Sequence, residues 1–568
     1  MNPERDILEC LKPRARRTSP HRAWPLAAAL ALGACQGSLE GPPSSGNEPP
    51  GTPGPLPADL GPSEEDRARP TGTTMLRRLN RHELKNTLGA LLGASHPKSF
   101  SYLDDALPAD PRVQGFDTIA EAFSISESYV QQLVAAMDRV AAETDVLGLS
   151  GCASAGSQCV EEFATTFGLH ALRRPVTSEE LSSYLALYSQ ALPDHGHEAA
   201  LRAMLTRLLL APDLLYLLPS VASGPLTGHA LASRLSYALW ESMPDAALLD
   251  AAREGRLETA LDAQREVTRM LADPRAANTL NRFVQLWLET DDLDRVTKDP
   301  AVYPEFEGTR GSMQQELANF LENVVLAGDG TLTTLFTSRQ TVVDAPLAAL
   351  YGVPFTGAID GTQRISLDPE QRAGVLTQPA FLAMNGKANK SAPILRGIFV
   401  RERLLCQTLP PPPPNASAIP PELPSPTTTR DFFANLTNRP ECSGCHALIN
   451  PTGFAFEHYD GIGRYRDSEN GFPIDSNGSY QEGQEIVPVV SATDLAQRLA
   501  TSAEVERCLV RQWFRVRFGR IDASVDEPII EQMTEALRTE QGSLRALPKV
   551  LVASEAFFDP RFQSGVSP

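Results

Sequence analysis

From residue 72 to about residue 350, apolar positions recur every three or four residues, the period of helices that bury one face. In "LNRHELKNTLGALLG" the stripe is Leu84, Leu88, Leu91 and Leu92, with Asn80 and Glu83 at capping-box spacing and Gly93 as a stop. In "SESYVQQLVAAMDRVAAE" it is Tyr129, Leu133, Met137, Val140 and Ala141. "RRPVTSEELSSYLALYSQAL" starts a helix at Thr177, with Glu180 reaching back. "LRAMLTRLLLAPDLLYLLP" is nearly all apolar before Pro212 and predicts a buried helix. "LTGHALASRLSYALWESMPDAALLDAAREGRL" reads as two helices divided at Met243-Pro244, and helical stretches follow around Phe283–Leu288 and Met313–Leu326. Only "TQRISLD" (362–368) and "EIVPVV" carry strand signals, so the expected fold is mainly α and multidomain. Met and aromatic side chains follow the apolar stripes and are assigned to core.

Composition changes this picture in two places. The 47 prolines concentrate in residues 41–62 and in "LPPPPPNASAIPPELPSP" (409–426), which read as extended segments. The start of the chain differs again: a basic stretch with Lys12, Arg14, Arg16, Arg17 and Arg22 precedes "AWPLAAALALGA", too short to span a bilayer but suited to a secretory signal. "LGAC" (Leu32 to Cys35) resembles the lipobox of bacterial lipoproteins, in which the cysteine becomes a lipidated N-terminus; an ordinary signal peptide with a chance cysteine is the alternative. By the same resemblance, Gln36 favours the outer membrane, on its periplasmic or cell-surface side. The first 35 residues carry a net +3, so the remainder carries −22, which excludes nucleic acid as a partner in the absence of a basic patch. No later apolar run reaches 18 residues, so the membrane would be met only through the lipid.

Export makes the cysteine count informative. Beyond Cys10 and Cys35 there are six: Cys152, Cys159, Cys406, Cys442, Cys445 and Cys508. Cys152 and Cys159 enclose a short polar stretch and read as a local staple. If Cys442 and Cys445 serve haem, Cys406 and Cys508 remain to pair with each other across the proline run. Cys442, Cys445 and His446 form a Cys-x-x-Cys-His string. In c-type cytochromes the two cysteines form thioethers to haem vinyl groups and the histidine ligates iron. A Cys442–Cys445 disulfide and a zinc site are the competing chemistries; zinc lacks a second ligand pair at finger spacing.

The flanking sequence "CSGCHALINPTGFAFEHYDGIGRYRDSENGFPID" resembles the signature of a family of large secreted cytochrome c-like proteins of planctomycetes and myxobacteria, built from consecutive domains of unknown function. "RRLNRHELKNTLGALLG", "FGLHALRRPVTSEE", "LASRLSYALWESMPDAALLDAAREGRL", "GVLTQPAFLAMNGKANKSAPILRGIFVRERLLCQTLPPPPPN" and "CLVRQWFRVRFGRI" resemble its successive domains. The resemblance implies one covalent haem c and leaves the activity open. Asn450 stands where the family usually has Asp, and His458 where it usually has Asn.

The resulting organisation is a signal peptide (1–35), a Pro/Gly-rich linker (36–70) and helical segments 71–150, 151–220 and 221–355. A domain with the proline run and the Cys-x-x-Cys-His string (356–478) and a C-terminal helical domain (479–568) complete it. Met384, His458 and Met533 are candidates for the iron face opposite His446, with core packing as the competing role of both methionines and a surface position that of His458. Arg464 and Arg466 are candidates for the haem propionates, with surface ion pairing as the alternative. His195 and His197 read as a solvated turn rather than a metal site. No G-x-S-x-G, H-E-x-x-H, Walker or G-x-G-x-x-G string occurs; an oxidoreductase or electron carrier is expected if haem is present. Two function classes follow. The first is an exported lipoprotein with one covalent c-type haem, serving electron transfer or a related redox role at the cell envelope with a redox partner protein; the second is a haem-free cell-surface structural or polysaccharide-binding protein with a Cys442–Cys445 disulfide.

Overall fold

The computed structural model describes residues 76–96, 99–217, 226–358, 361–410 and 427–558. The signal segment, Cys35, the linker and most of the proline run lie outside the described residues. Among the described residues the chain is mainly helical, and no helix is long and apolar enough to cross a membrane.

The expected helix starts are made by their caps. Helix α1 (Arg81–Leu92) opens on a capping box between Asn80 and Glu83 and stops at Gly93, whose φ is 50°. Helix α2 (Glu127–Glu143) is capped by Ser126, and α3 (Ser157–Leu172) leads to Thr177, whose capping box with Glu180 opens α4 (Ser178–Leu209). Within α4 the chain kinks at Gly196, where φ is 81°. His195 is exposed there, whereas His197 is a strut: Nδ1 meets the Tyr188 hydroxyl and Nε2 the Cys152 carbonyl, both at 2.8 Å. Helices α5 (Gly228–Trp240) and α6 (Ala246–Arg253) are divided around Met243-Pro244. Helices α7 (Ala260–Leu271), α8 (Pro274–Trp287) and α9 (Phe306–Leu321) complete the central region.

Four two-stranded antiparallel sheets occur among the described residues. The first pairs β1 (Arg77–Arg78) with β2 (Tyr216–Leu217). In the next, β4 (Gln363–Ser366), an expected strand, pairs with β3 (Gln340–Val343), which carries no clear alternation. A small hairpin joins β5 (Ser468–Glu469) to β6 (Phe472–Pro473). The other expected strand, β8 (Glu485–Val489), pairs with β7 (Gly478–Glu482).

Side chains gather into two cores. One contains buried residues between Leu79 and Leu214, with Tyr237 and Met243 added from the central region. The other takes Phe116 and Ile119 and then residues from Leu226 to Phe558, and holds Trp240, Trp287 and Trp513. Buried charge links the two. Glu241, 1% exposed, meets Arg517 at 2.9 Å, His82 at 3.2 Å and Arg282 at 3.3 Å; Arg282 also meets Asp117 at 2.5 Å. Burial disfavours the Glu241 carboxylate, but Arg282, Arg517 and His82 outweigh it and hold the group well below the usual range. Glu316 has the opposite fate. Thr341 and Tyr351 both donate to its Oε1, at 2.6 and 2.7 Å, while its buried Oε2 has no partner. Burial pushes this carboxyl up to about 7.

The region around the Cys-x-x-Cys-His string is built on α10 (Pro379–Met384), α11 (Pro393–Phe399), α12 (Thr429–Leu436) and α13 (Pro440–Phe454). Three glycines bring backbones onto α13. A Cβ at Gly453 would stand 1.9 Å from the Pro393 carbonyl oxygen, at Gly397 2.3 Å from that of Ile449, and at Gly478 2.0 Å from that of Pro451. Helix α11 and β7 therefore clamp the C-terminal half of α13 from two sides. Behind this clamp follow α14 (Ala492–Leu499), α15 (Ala503–Phe518), α16 (Glu527–Thr539) and α17 (Leu547–Ala553), which contribute to the larger core.

Two stability predictions follow. Gly453→Ala should lower stability by about 1–3 kcal/mol through backbone overpacking. Gly444→Ala on the same helix, where a Cβ meets nothing within 4 Å, should leave it unchanged or slightly raised; thermal melts of both variants check this. Folded Glu316 keeps its proton to about pH 7, whereas an unfolded Glu ionises near pH 4.3, so its contribution falls as pH rises through that window. Glu316→Gln should accordingly gain up to ~3 kcal/mol over the wild type at pH 8 and nothing at pH 4.5, read from denaturant midpoints at both values.

Candidate functional site

Pro440 occupies the first turn of α13, where its missing N–H costs nothing and its fixed φ suits the helix. The cysteine string therefore falls on the first two turns. Cys442 and Cys445, three residues apart, share a face, with His446 one position on. All three are half-buried, and neither cysteine is in a disulfide. The other four cysteines of the described residues are paired, Cys152 with Cys159 and Cys406 with Cys508. Both pairings agree with the expectation from counting. Among the described residues no three His, Cys, Asp or Glu side chains are grouped as around a metal ion.

His446 is held by a relay of side chains. Its Nδ1 lies 2.9 Å from Asn450 Oδ1, Asn450 Nδ2 donates to Thr437 Oγ1 at 2.8 Å, and Thr437 donates to the Phe433 carbonyl at 2.6 Å. Since the Asn450 amide nitrogen is directed at Thr437, its oxygen faces the ring and the ring supplies the proton. That leaves the Nε2 lone pair of His446 available to a ligand-seeking metal. The role of Asn450 goes beyond the family departure noted from sequence. Its i, i+4 spacing from His446 was visible, but the Thr437 contact that orients it was not.

At the other end of α13 stands Arg396, 0% exposed. It donates to the carbonyls of Asp460 (2.7 Å), Tyr459 (2.9 Å), Phe456 (3.1 Å), Asn385 (3.2 Å) and Leu382 (3.3 Å). Burial brings its pKa down to about 10. Beside it, Lys298 donates to the carbonyls of Ala383, Gly386 and Lys387, and burial lowers it to about 7. Sequence reading overlooked both because a buried cation has no periodic signature.

The remaining candidates are scattered. Met384 lies between Leu382 and Asn385, at the Arg396 end of α13, half-buried against the larger core. His458 stands at the same end, with Nδ1 on the Arg466 carbonyl at 2.8 Å and its ring stacked on Tyr465. Met533, 1% exposed, is in the larger core on α16, which packs on α15 and α17. Eight residues of helix, about 12 Å, separate His446 from Phe454 at that far end. Arg464 pairs with Glu305. Arg466 pairs with Glu469 at 2.7 Å and approaches Glu457 at 3.6 Å. Glu457 is 2% exposed with one oxygen unpartnered, and burial pushes it up to about 7.

Five family models, each described as a protein of unknown function, match in succession. They are DUF1587 over residues 77–146, DUF1595 over 159–218, DUF1592 over 226–353, DUF1588 over 372–469 and DUF1585 over 487–557. The DUF1588 model bears the cytochrome-like name PSCyt3 and covers the whole of α10, α11, α12 and α13. No curated protein and no solved structure matches the chain. The chain thus belongs to the multidomain, cytochrome c-like family built from these five consecutive domains of unknown function.

Proposed function

We propose that this protein carries one covalent c-type haem on Cys442, Cys445 and His446 and serves electron transfer at the cell envelope. One observation carries the reading: two unpaired, half-buried thiols one helical turn apart stand beside an imidazole whose Nδ1 proton is held by Asn450. This donor set fits a haem bound by two thioethers and His446 Nε2. When bound, that group supplies one-electron redox chemistry. The chain's own part is positional: Asn450 and Thr437 fix the His446 ring, and the glycine clamp keeps α13 from moving under it.

Export is part of the same reading. Two disulfides are at home in an oxidising compartment, where thioether formation also takes place. The signal ending at Cys35 would deliver the chain there as an outer-membrane lipoprotein. A redox partner protein completes the proposal, since a single haem must receive and pass on its electron. The haem-free alternative needs a Cys442–Cys445 disulfide, and both thiols are free.

Expression with cytochrome c maturation machinery and purification under denaturing conditions should yield a haem absorbance that stays with the polypeptide. Replacing both Cys442 and Cys445 by Ala should abolish it; a wild-type chain that is exported without covalent haem refutes the reading. In the haem-bearing protein, Asn450→Leu should raise the midpoint potential, because a His446 that has lost its Nδ1 acceptor is a weaker donor. Redox titration of the variant beside the wild type reads this.

A further inference from the structure

Three arginines are buried between Pro393 and Leu404, and two of them have full sets of partners. Arg396 has the five carbonyls given above. Arg403, 5% exposed, donates to the carbonyls of Trp287, Leu286 and Gln114. Arg401 is 4% exposed, yet its Nε and Nη1 have no hydrogen-bond partner. Burial lowers its pKa, and the charge of Glu504 only partly opposes this. Leaving a buried charge without hydrogen bonds costs several kcal/mol, so an orphaned guanidinium marks a place where an anionic partner belongs.

The packing gives the direction in which that partner lies. Pro393 meets Gly453 and Gly397 meets Ile449, so α11 and α13 run antiparallel. Four residues past Gly397 is Arg401; four residues before Ile449 is Cys445. Residues four apart share a helix face, so Arg401 lies on the side of α11 that carries Gly397, one turn beyond the Gly397–Ile449 contact, while the turn that holds it packs on α15. Arg403, two positions on, points the other way, as its bonds to Trp287 and Leu286 require. The turn Val400–Leu404 is π-helical, a widening frequent at functional sites.

We propose that Arg401 donates to a propionate carboxylate of the haem held by Cys442, Cys445 and His446. This rests on the haem reading of the preceding section. It replaces Arg464 and Arg466 in that role, since both are already engaged by carboxylates of the chain. Nε and Nη1 flank Nη2 on its two sides, and either of them together with Nη2 presents two parallel donors that match a carboxylate. Its positive charge near the iron favours the reduced state.

The test uses the full haem-bearing chain as wild type, Arg401→Gln, Arg401→Lys and Arg464→Gln. Covalent haem content is expected to be equal in all four, because attachment depends on Cys442 and Cys445. Arg401→Gln should lower the midpoint potential by the equivalent of a tenfold shift towards the oxidised form, about 59 mV for one electron. It should also bring out a pH dependence of the potential as the freed carboxylate titrates. Arg401→Lys should fall between, and Arg464→Gln should match the wild type. A haem-bearing Arg401→Gln within twofold of wild type overturns the proposal, as does an equal shift in Arg464→Gln. If Arg401→Gln does not accumulate, Arg401→Lys decides: a lowered potential supports the proposal and an unchanged one overturns it. A wild-type chain without haem refutes the haem reading and this inference together, and it is recognised before any arginine variant is measured.

Discussion

Arg396 presents five N–H groups, and its guanidinium reaches five backbone carbonyls at the C-terminal end of α10 and in the turn after α13. Carbonyls at a helix end have no intrahelical partner, and those of an irregular turn need partners too, so a buried cation between the α10 end and the turn after α13 satisfies both at once. Lys298 adds a second cation at the α10 end. Without this pair, the α10 terminus and the turn after α13 would be buried with orphaned acceptors, and the loop Asn385–Lys390 would lose its anchor. The close glycine contacts of α13 presuppose that this end is fixed.

The consequence is a helix with two different halves. Its C-terminal half is locked, backbone against backbone, by Gly397, Gly453 and Gly478. Its first two turns carry half-buried Cys442, Cys445 and His446, and Asn450 with Thr437 holds the His446 ring. A rigid support under an accessible reactive face is the arrangement that pre-organises a binding site.

A comparable logic joins the rest of the chain. Arg77 and Glu83 near the start, Glu241 and Arg282 in the centre, and Arg517 near the end come from stretches matched by three different family models, yet they share one buried cluster. Each of these charges is tolerable only because the others are present. The motifs that looked like independent domain signatures therefore include residues of one interlocked network, which explains why charged residues sit among their apolar positions.

Helix positions, their caps at Asn80 and Thr177 and the stop at Gly93 were legible because capping and amphipathic period are local. The cysteine string and the balance of the other cysteines were legible as counts and spacings, and Cys152–Cys159 and Cys406–Cys508 formed accordingly. Strands β3 and β7 were not, because a short strand takes its identity from the partner it pairs with. What an arginine does was equally hidden. Arg401, Arg464 and Arg466 look alike in sequence, and only the folded chain decides that Glu305 and Glu469 engage two of them while the third is buried with Nε and Nη1 unpartnered. The sequence by itself determined most of the helices and the spacing of the Cys-x-x-Cys-His string. Tertiary structure decided which polar groups were left available, because hydrogen bonds and desolvation depend on neighbours distant along the chain.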